Sequence, residues 1–97
     1  MGMMGSTERR EMIFPKPGFG GTPIGMLEEG YHNAYSAILA AKAAMLGLEF
    51  NSRDYPKFED WEQACKEREE AFSKMEDVET YIVEHINAIC EIKDGTA

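Results

Sequence analysis

Apolar residues recur at alternating intervals of four and three positions in the middle of the chain, which is the spacing of one face of an α-helix. The series comprises Leu27, Tyr31, Ala34, Ile38, Ala41, Met45 and Leu48. A second apolar stripe beside it comprises Tyr35, Leu39 and Leu46. The pattern predicts a helix over about residues 23–48, with Thr22 as the capping residue and Pro23 in the first turn.

Polar side chains are scarce in this first predicted helix. Ser36 and Lys42 are the clearly polar residues between Ala34 and Leu48, and Lys42 can lay its aliphatic stem along apolar surface while its charge stays in water. A helix with so little polar surface is typical of one that is buried on more than one side. We therefore expect it to lie inside a bundle.

A longer apolar series follows a turn-rich connection at residues 49–57. Its members are Phe58, Trp61, Cys65, Phe72, Met75, Val78, Ile82, Ile86 and Ile89. The series predicts a second helix over about residues 57–93, which would span about 50 Å. Because the connection is short, the two helices are expected to pack antiparallel, and the longer helix should extend beyond the shorter one.

Residues 1–22 have no helical period, and prolines and glycines crowd their second half. This composition predicts an extended arm with turns. The large apolar side chains Ile13, Phe14 and Phe19 would not be needed in a solvated linker, so the arm is expected to lie in a groove of its own or of a neighbouring subunit. The predicted organisation is an arm at residues 1–22 followed by a helical hairpin at residues 23–97.

The predicted fold class is all-α: an antiparallel two-helix hairpin with an extended N-terminal arm, assembling into a homo-oligomeric helical bundle. Three features favour self-association. A chain of 97 residues buries only a modest fraction of its surface, the first helix is apolar on two sides, and the second helix overhangs the first.

The chain carries 18 acidic and 10 basic residues, for a formal net charge of -8. Residues 57–93 contain 11 of the acidic and 5 of the basic residues. This balance argues against duplex nucleic acid as a partner and favours a basic protein. Cys65 and Cys90 lie far apart along one predicted helix, so they are expected to be reduced thiols of a cytoplasmic protein, and no apolar run is long enough to cross a membrane.

The acidic face of the second helix is the main candidate for partner binding. The candidate residues, including two from the apolar arm, are Phe14, Phe19, Glu59, Asp60, Glu67, Glu70 and Asp77. Such a strip could imitate a polyanion and cover a nucleic-acid-binding surface of a basic partner. The alternative interpretation is the ordinary solvated face of a coiled coil.

A second candidate is a phosphate or nucleotide site where the arm enters the first helix. Backbone N–H groups at a helix N-terminus favour anions, although no P-loop motif is present. The candidate residues are Lys16, Gly20, Gly21, Thr22, Tyr31, Asn33 and Tyr35. The alternative is a flexible arm that simply ends in a helix.

A third candidate is a metal site. Glu29 and His32 have the Glu-x-x-His spacing found on one face of helices in di-iron bundles, and His85 lies on the other helix. Glu29 lies off the apolar seam, however, so the alternative is a solvated His32 with a structural His85. No metal or other cofactor is expected.

No serine, cysteine or threonine stands in a defensible spacing to a histidine and an acid, so we do not expect an enzyme. The leading hypothesis is a non-catalytic, homo-oligomeric interaction protein, an inhibitor or an assembly factor. One alternative is a protein that sequesters a phosphorylated metabolite or a cyclic nucleotide between subunits near the glycine-rich turn. Small acidic helical chains are also common among phage anti-defence proteins. Another alternative is a ferritin-like metal protein.

Overall fold

The computed structural model of the protein describes residues 12–16 and 20–95. This part of the chain contains two α-helices, α1 at Ile24–Leu46 and α2 at Phe58–Lys93, and a short 3₁₀ turn at Ser52–Asp54 in the connection between them. The two helices pack against each other. The prediction of an all-α helical hairpin is therefore confirmed.

Two ion pairs join the helices in the described part of the chain. They show the relative direction and the register of the two helices. Lys42 Nζ lies 2.6 Å from Glu79 Oε1, and Lys93 Nζ lies 2.8 Å from Glu28 Oε1. Because the residue numbers of the partners on α2 decrease as those on α1 increase, the helices run antiparallel. In this register α1 ends near the middle of α2, so about 17 residues at the start of α2 extend past it, a length of about 25 Å.

The ends of α1 differ slightly from the prediction. Pro23 occupies the N-cap position, with φ -58° and ψ 146°, and its carbonyl accepts hydrogen bonds from the N–H groups of Met26 and Leu27. No side chain caps this end, so the prediction that Thr22 is the capping residue is wrong. The fixed φ of proline already holds the chain at the entry angle of the helix. At the other end, Gly47 donates its N–H to the carbonyls of Ala43 and Ala44.

The face of α1 that packs on α2 follows the predicted series through most of the helix. Its half-buried residues are Ile24, Leu27, Glu28, Tyr31, Ala34, Tyr35, Ile38, Lys42 and Met45. Ala41 and Leu48 were expected in this face but are exposed, and Lys42 lies where Ala41 was expected. In a straight helix, positions seven residues apart shift around the helix axis relative to a strict seven-residue repeat. The hydrogen bond from Lys42 to Glu79 on α2 then lets Lys42 occupy a position that faces α2.

Deep burial is confined to one half of α2. Among the described residues, those with less than a tenth of their surface exposed are Ile82, His85 and Ile89, at 5 %, 2 % and 1 %. The molecule is elongated, with extents of 58 × 38 × 20 Å and a radius of gyration of 18.8 Å, whereas a compact domain of this length would have a radius of gyration near 12.5 Å. The hairpin thus has a small core for its length.

The connection folds back along the start of α2. The Phe50 ring centroid lies 4.9 Å from that of Trp61, and the Tyr55 ring lies 5.6 Å from the same indole. Asn51 Oδ1 accepts a hydrogen bond from the N–H of Arg53, which holds the 3₁₀ turn. Because α1 does not reach this part of α2, these aromatic residues of the connection supply the cover that the first helix cannot.

Candidate interaction surfaces

The predicted acidic strip lies along α2, and its residues are all exposed. They are Glu59, Asp60, Glu67, Glu70 and Asp77. Glu70, Asp77 and Glu84 recur every seven residues, so their carboxylates lie on one side of the helix about 10 Å apart. Within the described part of the chain, none of these three forms an ion pair. These carboxylates therefore face solvent without an ion pair in the described part of the chain.

An open hollow of about 420 Å³ lies beside the acidic strip. It is lined by Lys42, Glu76, Glu79, Thr80, Val83 and Glu84. The ammonium of Lys42 is already bound to Glu79 and also lies within electrostatic range of Glu76, so the remaining carboxylates, Glu76 and Glu84, line the hollow without an ion pair of their own among the described residues. Two carboxylates beside an aliphatic side chain form a suitable receptor for the head and stem of a lysine or arginine.

The arm meets both helices at His85. The ring centroids of Phe14, Tyr31 and Tyr81 lie 4.8, 5.1 and 4.2 Å from that of His85, with Phe14 edge-on and Tyr31 stacked. The Nδ1 atom of His85 lies 2.9 Å from the carbonyl oxygen of Tyr81. Since a carbonyl only accepts, Nδ1 carries the proton and donates it. Phe14 of the arm therefore contacts the hairpin of its own chain, which is one of the two locations expected for the arm.

The phenol of Tyr31 is part of the same cluster. Burial and a hydrogen bond with the Tyr81 side chain raise the pKa of Tyr31 above its ordinary value. Its ring stacks on His85 and its hydroxyl is engaged by Tyr81. Both parts of this side chain are therefore occupied within the hairpin.

The residues predicted to bind a phosphate or nucleotide are spread over the start of the hairpin. Those exposed to solvent are Lys16, Gly20, Gly21, Thr22 and Asn33, while Tyr31 and Tyr35 are half-buried toward α2. Gly20 has a φ of 86°, which suits glycine at this turn. Asn33 faces away from the two tyrosines, so the predicted amide and stacking surfaces do not lie on one face of α1.

The predicted metal ligands differ in their exposure to solvent. Glu29 and His32 are exposed on α1, whereas His85 is buried and its Nδ1 is bound to a backbone carbonyl. In residues 12–16 and 20–95, no group of three or more histidine, cysteine, aspartate or glutamate side chains could hold a metal ion. Phe19, one of the predicted partner-binding residues, lies outside the described residues.

Arg68 forms a contact that the sequence analysis did not predict. Its guanidinium carbon lies 4.7 Å from the centroid of the Phe50 ring and 5.0 Å from that of Phe72. An open hollow of about 330 Å³ adjoins these three residues and includes Cys65 in its wall. The available signal was an arginine at an apolar position of the α2 series, because a guanidinium at such a position commonly stacks on aromatic rings.

The two ion pairs between the helices shift the pKa values of their members. The hydrogen bond from Lys93 lowers the pKa of Glu28, and the same bond raises the pKa of Lys93. The hydrogen bond to Glu79 raises the pKa of Lys42. All of these shifts favour the charged forms of the paired groups.

None of the helices in the described residues is both long and apolar enough to cross a membrane. No protein-family model, curated protein or solved structure matches this chain. Three surfaces of the described residues are available for function: the acidic strip of α2, the apolar outer side of α1, and the aromatic cluster where the arm docks.

Proposed function

We propose that this protein is a non-catalytic, self-associating interaction protein that binds a basic protein partner through the acidic strip of α2. Its role would be that of an inhibitor or an assembly factor. The observation that carries the proposal is the row of exposed carboxylates at Glu70, Asp77 and Glu84, which have no cation bound to them among the described residues.

The spacing of the carboxylates supports a protein partner. A row of negative charges about 10 Å apart along a rigid helix can meet basic side chains on a helix or strand of another protein. The hollow that contains Glu76 and Glu84 adds a place where one long basic side chain can enter. Phe14 of the arm already packs on His85 of the hairpin. Of the arm and the acidic strip, the strip therefore leaves more surface for a partner.

A fluorescent peptide of ten arginines is the probe for the acidic strip. Its affinity, measured by fluorescence anisotropy, should fall steeply as the salt concentration rises. A triple variant, Glu70→Gln with Asp77→Asn and Glu84→Gln, should bind the peptide roughly tenfold more weakly, the sum of three exposed ion pairs of a few tenths of a kcal/mol each.

A second triple variant controls for net charge. Glu29→Gln, Glu49→Gln and Asp54→Asn remove the same three charges from exposed positions outside α2, and this variant should lose much less affinity. Equal losses in the two triple variants would mean that the probe senses only the total charge, and the acidic strip would not be a binding surface.

The small-ligand hypothesis stays a prediction, and no described contact favours it over the acidic strip. Its test is the melting temperature of the protein in a panel of cyclic nucleotides and phosphorylated metabolites. A rise with one compound that is lost in a Lys16→Ala variant would support a site at the start of α1. An unchanged melting temperature across the panel would eliminate it.

A further inference from the structure

The outer side of α1 is apolar but is not covered by the rest of the chain. Between Ser36 and Leu48, a stretch that the structure describes in full, every exposed residue is uncharged. Leu39 and Leu46 have 40 % and 68 % of their surface exposed. Large exposed aliphatic side chains on one contiguous face are typical of an interaction surface.

The inner side of the same helix already has its partner. Leu27, Ile38 and Met45 are half-buried toward α2. At about 100° per residue, Ser36, Ala40 and Ala43 lie on the opposite side of α1. The helix is therefore apolar on two sides, of which its own hairpin uses one.

The total surface of the chain is large for its mass. The protein exposes 7218 Å², while a compact monomer of 10.9 kDa would expose about 5,600 Å². A standard interface buries about 800 Å² on each partner. The outer side of α1, where Leu39 and Leu46 are exposed, is one part of this surface that a second copy could cover.

Charge identifies the occupant of this face. Two chains of net charge -8 repel each other, so association is favoured at a surface without carboxylates that holds the acidic strips apart. The outer side of α1 from Ser36 to Gly47 meets both conditions, because α2 lies on the far side of α1. A basic partner, by contrast, would gain nothing electrostatically from an uncharged face.

The pattern on this face is also complementary to itself. If two copies of α1 pack antiparallel about a two-fold axis, Ser36 of one chain lies opposite Gly47 of the other, and Ala40 lies opposite Ala43. Side chains this small allow helix axes to approach to about 8 Å. Leu39 and Leu46, at the margin of the small residues, would then be covered by the second copy.

We propose that the occupant is a second copy of this chain, packed antiparallel through the outer side of α1. The inference rests on the self-association in the proposed function and specifies its interface. The product is a dimer with α1 of both chains in the centre and the two acidic strips on opposite outer sides. Such a dimer presents two equivalent binding surfaces, so a partner with repeated basic sites would bind with avidity.

The test uses the full chain with the substitution Ala40→Glu and a matched control, Asn87→Glu. Both positions are exposed in the hairpin and both changes add one negative charge. The molecular mass in solution, measured by light scattering over a range of protein concentrations, should be at least twice 10.9 kDa for the wild type and for Asn87→Glu. Ala40→Glu should dissociate at least about 100-fold more readily, because it buries two unpaired carboxylates per dimer.

Each outcome has one interpretation. A wild type with the mass of one chain would overturn both this interface and the self-association in the proposed function. An oligomeric wild type with an equally oligomeric Ala40→Glu variant would overturn this interface alone. Far-UV circular dichroism of Ala40→Glu should show unchanged helix content, and Ala40→Ser, which keeps the side chain small, should retain the dimer.

Discussion

The two halves of α2 are stabilised by different means. The C-terminal half contains Ile82, His85 and Ile89, which are buried beneath α1 and the arm. The N-terminal half lies beyond the end of α1 and is covered by the connection, whose rings of Phe50 and Tyr55 pack on Trp61. One continuous helix therefore combines a small conventional core with a half-exposed aromatic cluster.

Because of this difference, contacts in one half of α2 affect the stability of the whole hairpin, and contacts in the other half affect only the structure near them. Loss of a contact in the C-terminal half affects the packing of α1 on α2, on which the whole hairpin depends. Loss of a contact in the N-terminal half releases the connection and one end of a helix, while the rest can stay folded. The following predictions test this contrast, from the largest expected effect to the smallest.

The substitution Ile89→Ala should have the largest effect. Ile89 is 1 % exposed, and removal of a buried isoleucine side chain costs about 2–5 kcal/mol. Urea unfolding followed by circular dichroism measures the loss. Val78→Ala, on the same helix but 48 % exposed, is the control and should cost less than about 1 kcal/mol. Comparable losses in both variants would show that the small core does not dominate stability.

The substitution Trp61→Ala should have a smaller and local effect. Trp61 is half-buried between Phe50 and Tyr55, so its removal should cost roughly 1–2 kcal/mol, less than the cost for a fully buried aromatic residue. Hydrogen exchange should show faster amide exchange in residues 58–72 and little change in residues 80–92. Equal acceleration in both segments would contradict the separation of the two halves.

The substitution Phe14→Ala tests the docking of the arm. Loss of the edge-on contact with His85 should lower stability by about 1 kcal/mol. The NMR signals of the His85 ring should shift as the ring current of Phe14 disappears. Ile13→Ala is the control, because Ile13 is 90 % exposed and its removal should leave both quantities unchanged. An unshifted His85 signal in Phe14→Ala would rule out this docking position.

The dependence of stability on pH should be the weakest effect. The pKa values of Tyr31, Lys42 and Lys93 are raised in the folded state. The stability that each group contributes is therefore complete below its unfolded pKa value and is lost as the pH rises through its folded pKa value. The melting temperature should therefore decline above about pH 10. Lys42→Met should make this alkaline decline shallower, whereas Lys16→Met, at an exposed arm position, should not.

Acid should act through Glu28, whose pKa is lowered by Lys93. The contribution of this carboxylate is complete above its unfolded pKa and is lost as the pH falls through the lower folded value. In Lys93→Met, this part of the acid-induced decline should disappear. A melting temperature with the same pH profile in Lys93→Met and in the wild type would show that the ion pair does not contribute.

The helices could be predicted from the sequence because their signal is local. Apolar spacing placed Leu27, Tyr31 and Ile38 on the face of α1 that packs on α2. It also indicated that α1 has more apolar surface than one neighbour can cover, which is the case at Leu39 and Leu46. Periodicity carries this information because burial repeats with the turn of the helix.

The remaining contacts depend on the path of the backbone between distant residues. The register that pairs Lys42 with Glu79 is set by where the connection ends, and the stacking of Arg68 on Phe50 requires that connection to fold back. The spacing of residues within one helix does not specify the distance between Lys42 and Glu79 or between Arg68 and Phe50. The acidic strip could be predicted from charge alone, but the hollow beside it arises only when Lys42 is placed against α2.

The contact between Phe14 and His85 has a consequence for the order of events during biosynthesis. The two residues are about 70 positions apart, so His85 is synthesised about 70 residues after Phe14. At about 5–20 residues per second, Phe14 leaves the ribosome several seconds before its binding place exists. Phe14 therefore cannot dock until His85 has been made, and during that interval it is open to chaperones that bind exposed apolar side chains.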